Sequence, residues 1–289
     1  MSIAVEAALR SVTRQRSRLG ELLVAAGALC ESDVARIVAA QRERSERFGT
    51  LALEMKLIGE EQLQQALASQ VQYPFVATGD TSLSPLLAAA FDPFGEYAES
   101  IRTLRSQLLL RWFGAERSLL AISSARDDAG AAVVSANLAI AWAQMGANTL
   151  LIDANLRAPR QHHLFGLSVQ CGLAEVLNRQ CHTDDARHAV APFDNLTIIP
   201  AGARFPNPQE ALSGSLFSHL LAGYAREFAV VLVATPPMLA YADAALVVGS
   251  TRGCLLATRR HETATADLQR ARAALAPTSA TLVGVVISD

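Results

Sequence analysis

The residues most suited to chemistry run from Ser123 to Ala139: Ser-Ser-Ala-Arg-Asp-Asp-Ala-Gly-Ala-Ala-Val-Val-Ser-Ala-Asn-Leu-Ala. An apolar run, residues 119–122, precedes them and reads as a buried strand; a helical pattern follows through Met145. A loop between strand and helix is where backbone amides cradle phosphates, in the pattern G-x-x-x-x-G-K-[ST]. Registered on Gly130, the pattern places Ala125 at the first glycine, Ala131 at the lysine and Ala132 at the hydroxyl residue. The lysine meets the β- and γ-phosphates as a point charge and the hydroxyl holds magnesium. Alanine does neither, and Asp127 and Asp128 present like charge to a polyphosphate. The only lysine is Lys56, upstream, so no later loop can supply one. An arginine brings charge, but its planar fork does not replace a lysine at a tight site.

The elements that would position this loop are legible as apolar runs. Strand candidates fall at 119–123, 149–153, 196–200, 229–234, 254–258 and 281–288, near-continuously apolar as strands buried on both faces must be. Helical patterns between them supply crossovers. The expectation is an α/β fold, a doubly wound, mainly parallel P-loop NTPase-like sheet over residues 91–289. A hydrophobic content of 51% with 18% charged residues allows a sizeable core. A net charge of −2 predicts no general attraction to nucleic acid or anionic membrane. Cys30, Cys171, Cys181 and Cys254 form no C-x-x-C pair, which fits reduced thiols in a cytoplasm. The first residues mix Glu6 and Arg10 without an apolar core, and no run is long enough to span a bilayer, so neither a signal peptide nor direct membrane insertion is expected.

A second set of residues recurs. Arg18-Leu19-Gly20 returns as Arg47-Phe48-Gly49; Leu23-Val24 returns as Ala52-Leu53; Val34, Val38 and Gln41 return as Leu63, Leu67 and Gln70, always 29 positions on. Each unit reads as two short helices, the second opened by an N-cap signal, Glu31-Ser32-Asp33 or Gly59-Glu60-Glu61. This predicts a small all-α N-terminal domain of two helix-pair repeats over residues 1–76. Residues 77–90 follow as a linker carrying Gly79, Asp80, Thr81, Ser82 and Ser84. Packing explains the aliphatic positions. It does not explain why both units carry Arg before Gly and end on Gln.

Residues 18–41 and 47–70 resemble the paired motifs of the cyclic-di-GMP-binding N-terminal domain of MshE-type secretion and pilus ATPases. The resemblance implies a ligand set of Arg18, Leu19, Gly20, Leu23, Val24 and Gln41 in the first unit and Arg47, Phe48, Gly49, Leu53 and Gln70 in the second. The chemistry suits a two-fold symmetric dinucleotide. Arginine forks onto guanine O6 and N7, glycine admits close backbone approach, and glutamine bonds a base edge. This sequence departs from the motif at Phe48, Ala28 and Ala52, and at Lys56, where the motif has glycine.

Residues 91–289 resemble the bacterial tyrosine kinases of exopolysaccharide loci, relatives of the MinD/ParA ATPases. Glu99, Arg102 and Arg105 match an E-x-x-R-x-x-R oligomerisation motif, and Asp153-Ala154-Asn155-Leu156-Arg157 matches D-x-D-x-R with Asn155 for the second Asp. Pro206-Asn207-Pro208-Gln209-Glu210 matches another family stretch. Ala234-Thr235-Pro236-Pro237 is the D-T-P-P turn with Ala234 for the magnesium-organising Asp, and Asp243 follows as in the family. No tyrosine follows Tyr241, so the family's C-terminal tyrosine cluster is missing.

With lysine, hydroxyl and carboxylate lost together, the degenerate nucleotide site (Gly130, Ala131, Ala132, Asp153, Asn155, Ala234) reads as a pseudokinase's, with no ATP or magnesium turnover. The resulting expectation is a cytoplasmic cyclic-di-GMP receptor and non-catalytic regulator of exopolysaccharide biosynthesis and biofilm. It would be homo-oligomeric and recruited to the inner membrane by a polysaccharide co-polymerase or other machinery protein. The alternative is a divergent ATPase or tyrosine autokinase using Asp153, Arg126 and Ser135 in altered roles. His162 and His163 read as a surface or helix-end pair without a metal partner, and Trp112, Phe113 and Trp142 as packing.

Overall fold

A computed structural model describes residues 19–44, 46–60, 62–63, 66–67, 73–76, 80–114, 117–126 and 130–288. The chain divides into two compact units at Phe75/Val76.

The N-terminal unit contains α1 (Leu19–Ala25), α2 (Glu31–Arg44) and α3 (Phe48–Glu54), with further helical residues at 60, 62, 63, 66 and 67. Leu23, Leu29, Ile37, Leu51, Ala52, Ile58 and Ala66 form its core. The two repeats cap alike: Asp33 Oδ2 accepts from Cys30 N at 3.3 Å, and Gln62 Oε1 accepts from Gly59 N at 2.9 Å. Each is a side chain three residues into a helix satisfying an orphan amide at its start.

The larger unit begins with α4 (Ala88–Phe91) and α5 (Glu96–Arg111). There follow β1 (Leu119–Ser124), α6 (Gly130–Gln144), β2 (Thr149–Asp153), α7 (Gln161–Leu164) and α8 (Leu173–Leu177). Next come β3 (His188–Val190), β4 (Phe193–Ile199), α9 (Pro208–Ser213), α10 (Ser215–Glu227) and β5 (Val230–Ala234). The unit closes with α11 (Asp243–Thr251), β6 (Gly253–Arg259), α12 (Thr265–Ala274) and β7 (Thr281–Ser288). The sheet order is β3-β4-β2-β5-β1-β6-β7. Every pairing is parallel except β3 with β4. The doubly wound, mainly parallel sheet expected from the apolar runs is present.

Alternation explains those runs. Leu120, Ile122, Leu151, Leu232, Leu255 and Ala257 enter one hydrophobic layer; Ala121, Leu150, Ile152, Val231, Val233 and Leu256 enter the other. Along β1, β2, β5 and β6 both faces are covered, so few positions there can be polar without a partner. β3 escapes the sequence reading because it is a three-residue antiparallel edge strand, His-Ala-Val, with only Val190 buried.

Two sequence expectations change here. The stretch read as linker is packed from residue 80 onward into the larger unit. Leu83 and Leu87 are buried, Ser84 N donates to Leu164 O, and Asn137 of α6 bonds both Leu86 O and Ala89 N. Its apolar residues are interleaved with Gly, Ser and Pro, which hid them. The cysteines also differ from the all-reduced expectation: Cys171 and Cys181 are joined as a disulfide, their Cα atoms 6.5 Å apart. The chain folds back between them, so sequence spacing gave no warning. Cys254 is a buried thiol whose pKa burial pushes up to about 12.

Candidate functional site

In a doubly wound sheet the crevice lies outside the carboxyl ends of the strands where strand order reverses. Here that point is the end of β1, flanked by β5 and β6, with β2 beyond β5. Ser124, Ala131, Ala132, Asp153, Asn155, Arg160, Gln161, Ala234 and Thr235 line one narrow cleft. The structure thus brings together five of the six residues of the degenerate nucleotide site, all but Gly130; Asp127 and Asp128 lie outside the described residues.

Asp153 is the buried carboxylate of this cleft, 1% exposed at the end of β2. Its Oδ2 accepts from Arg160 N and Gln161 N, both at 2.9 Å, and its Oδ1 from Asn155 N at 3.1 Å. Burial raises its pKa above the ordinary value, against the pull of those amides and of Arg160. Asp153 therefore organises the β2 turn. Ser135 donates to Ala132 O at 2.9 Å and receives Gln161 Nε2 at 3.1 Å, so it faces the backbone of its own helix. Arg126 is tied to Asp267 of α12 at 2.5 and 2.9 Å.

Magnesium is the ion a phosphate site of this architecture would require. The side chains do not fit a protein-held one. Alanines stand at 132 and 234, Asp153 is engaged by three amides, and Asn155 Oδ1 accepts from Ala158 N at 3.1 Å. Among the described residues no cluster of three His, Cys, Asp or Glu could hold a metal; His162 and His163 lie side by side on α7 with ring centres 3.8 Å apart and planes tilted by 39°.

Beside the cleft, Arg157 forks onto Asp243, which is 1% exposed, at 2.6 and 3.2 Å, with its guanidinium 4.3 Å over the Tyr241 ring. The sequence placed Arg157 and Asp243 in separate motifs; the structure makes them one pair. Arg204, Phe205 and Tyr241 adjoin it and carried no motif, so spacing could not find them.

The oligomerisation triad does not form one free surface. Arg102 is paired with Glu99 at 2.9 Å and also donates to Pro93 O, while Arg105 reaches back to Ala141 O of α6 at 2.7 Å.

In the N-terminal unit, Gly20 and Gly49 are buried. A Cβ on Gly20 would meet Val34 at 3.2 Å and the Phe48 ring at 3.3 Å; one on Gly49 would meet Leu63 at 2.8 Å. Close helix packing therefore favours glycine at both positions, beside the ligand approach read from the sequence. Phe48 of the second repeat lies on Gly20 of the first. Leu23 is core, and Leu19, Val24 and Leu53 are packed against it. Arg47 is exposed at the N-cap of α3, and Gln41 Nε2 donates to Glu46 O at 2.9 Å. Arg18 and Gln70 lie outside the described residues.

The sheet order and site place the larger unit among the doubly wound P-loop NTPase folds; MinD from Pyrococcus horikoshii, complexed with Mg-ADP, shares that fold at a TM-score of 0.53 and 20% identity over 59% of this chain and 70% of its own. The kinase domain of the Escherichia coli tyrosine kinase ETK is similar at a TM-score of 0.68 and 30% identity, over 72% of this chain and 81% of that one. The tyrosine-protein kinase YwqD of Bacillus subtilis is 30% identical over 200 residues, 69% of this chain and 84% of the relative. The putative tyrosine-protein kinase CapB of Staphylococcus aureus is 26% identical over 214 residues, 74% of this chain and 92% of the relative. The chain belongs to this family of bacterial tyrosine-protein kinases. Of longer relatives such as Etk of Escherichia coli the match spans 24%. No protein-family model matches the chain.

These relatives correct one expectation. The chain was read as a non-enzyme because three consensus side chains are missing. Relatives at 26–35% identity are named tyrosine-protein kinases, which points to kinase activity instead. The motif count weighed single positions, whereas kinship spans the whole unit. Among the described residues no helix is long and apolar enough to cross a membrane.

Proposed function

We propose that this chain is a divergent ATPase or tyrosine autokinase of an exopolysaccharide locus, governed by cyclic di-GMP bound to its N-terminal unit. The observation that carries the enzymatic part is the switch-point cleft. Ser124 at the end of β1 and Ala131 and Ala132 at the start of α6 line it, and Asp153 is fixed at the end of β2 beside Arg160. Kinship with named tyrosine kinases supports the same reading. In it, the Arg160 charge orients the polyphosphate, and Asp153 holds the β2 turn in place. The exopolysaccharide setting, a membrane co-polymerase as partner, and self-association through the Glu99 helix are extensions of that kinship. The test is ATP turnover and phosphotyrosine formation by the purified full chain with magnesium, against a heat-killed control. Asp153→Ala should lower turnover at least about tenfold, the loss of a buried charge-assisted network at the site. Turnover no higher than the control would sink the reading.

The ligand part is favoured by a separate observation. Packing explains the glycines and leucines of the repeats and leaves Arg47 exposed. Calorimetry with cyclic di-GMP should show saturable binding that Arg47→Ala and Arg18→Ala each weaken, at unchanged melting temperature. Silence at high micromolar ligand refutes it.

A further inference from the structure

The bond between Cys171 and Cys181 closes a short segment that contains α8. The start of that helix is tied to the loop that leaves β4. Leu173 N donates to Pro200 O at 2.8 Å and Ala174 N to Ala201 O at 2.9 Å. The Glu175 carboxylate accepts from Gly172 N at 2.8 Å and from Ala203 N at 3.0 Å, so it spans both chain segments. They run so close that a Cβ on Gly172 would meet Gly202 N at 2.3 Å. Arg204 and Phe205 come next and stand beside Asn155 and Pro237, which line the nucleotide cleft. Whatever fixes α8 therefore fixes one border of that cleft. The bond can also be reached. Cys171 is 9% exposed, but Cys181 is only partly buried, so an incoming thiolate has access to its sulfur. A released Cys171 thiol would find an acceptor in His182 O, 4.0 Å from its sulfur. The turn that closes the segment holds Arg179 in the left-handed region at φ 58°, a conformation the opened segment need not keep.

We propose that the Cys171–Cys181 bond is a reversible redox latch on the loop after β4. A dithiol reductant supplies the two electrons. Its first thiolate attacks the Cys181 sulfur, forming a mixed disulfide and expelling Cys171 as a thiolate, which takes up a proton. Its second thiolate then attacks the reductant's own sulfur in the mixed bond. The reductant leaves as a cyclic disulfide, and Cys181 is freed and protonated in turn. While the bond is closed, the segment between the cysteines has few open states. Once it is broken, Leu173, Ala174 and Val176 still pack α8 into the core, but the covalent return is gone. Residues 172–205 then open locally while the sheet stays closed. Neither step requires ATP.

The test uses the full-length chain carrying Cys30→Ser, which removes the exposed free thiol. The protein is prepared oxidised and then treated with dithiothreitol in the absence of denaturant. Iodoacetamide labelling with mass spectrometry counts the thiols, and hydrogen exchange follows each segment. Oxidised protein should take up no label, because Cys254 is buried; reduced protein should take up label at Cys171 and Cys181. Amide exchange within 172–205 should quicken by about tenfold or more on reduction, with the strands unchanged, and recover on reoxidation. Cys181→Ser should exchange like the reduced protein without any reductant. Reduction that succeeds only in denaturant, or that unfolds the whole larger unit, would make the bond a structural staple and overturn the proposal. So would unchanged exchange after reduction, or label at both cysteines before it. A parent protein without ATP turnover would refute the enzymatic reading and leave this result standing.

Discussion

The β1–α6 junction and the N-terminal repeats keep their inherited shapes for different reasons. Helix α6 is buried along almost its whole length. It lies on the sheet through residues such as Leu138 and Ile140 and is bonded from outside by way of Asn137, Gln144 and Ala141. A helix so central persists because the core needs it, whatever its first turn does chemically. In the repeats, some motif positions are themselves buried: Gly20, Gly49 and Leu23 sit with Ile37, Leu51 and Ala52 in the interior, and Arg47 remains outside it. In the first region shape is preserved by packing and says little about individual catalytic groups. In the second, subtracting packing leaves Arg47 exposed, the residue the proposed ligand would need.

The strongest way to break this contrast is Trp142→Ala. Trp142 is 1% exposed and meets Phe113 edge-on at 5.2 Å, so removing it should cost about 3–5 kcal/mol by urea denaturation. A cost under about 1 kcal/mol would show that α6 is not held by its packing. Asp243→Ala comes next. It strips a forked carboxylate from Arg157, which stays partly solvated, so about 1.5–3 kcal/mol is expected, together with release of Tyr241 seen as a change in its fluorescence.

Gly49→Ala sharpens the other half of the comparison. A new Cβ at 2.8 Å from Leu63 forces a shift that outweighs the gain in helix propensity, for a net destabilisation of about 1 kcal/mol. Arg47→Ala should leave stability unchanged and alter only ligand binding. If the two variants exchanged these phenotypes, the division into packing and ligand residues would be wrong. The smallest effect is at Asp267. Arg126 beside it holds its carboxyl below the ordinary value of 3.8. A lowered folded-state pKa contributes stability above that ordinary value and loses it as pH falls through the folded one. Asp267→Asn should lower the melting temperature slightly at neutral pH, with the gap closing below about pH 4.

Much of the larger unit was readable in advance because strands covered on both faces must be apolar throughout, as at 149–153, which coincides with β2; 281–288 coincides with β7, an apolar edge strand that is only partly covered. The edge strand His188–Val190 and the packed stretch 80–91 were not, since burial of so few residues leaves no periodic signal. The candidate site divides similarly. Asp153 and Asn155 stood in a motif, whereas Arg204, Phe205 and Tyr241 converge only through loops that follow different strands.

By itself the order of residues determined the parallel sheet, the duplicated helices and the alanines at three phosphate-site positions, because hydrophobic period and residue identity are local properties. Tertiary structure decided which side chains meet. It paired Arg157 with Asp243 and Cys171 with Cys181, turned Arg105 inward onto Ala141, and set Phe48 against Gly20. Such encounters follow from how chain segments are folded back on one another, which no local pattern encodes.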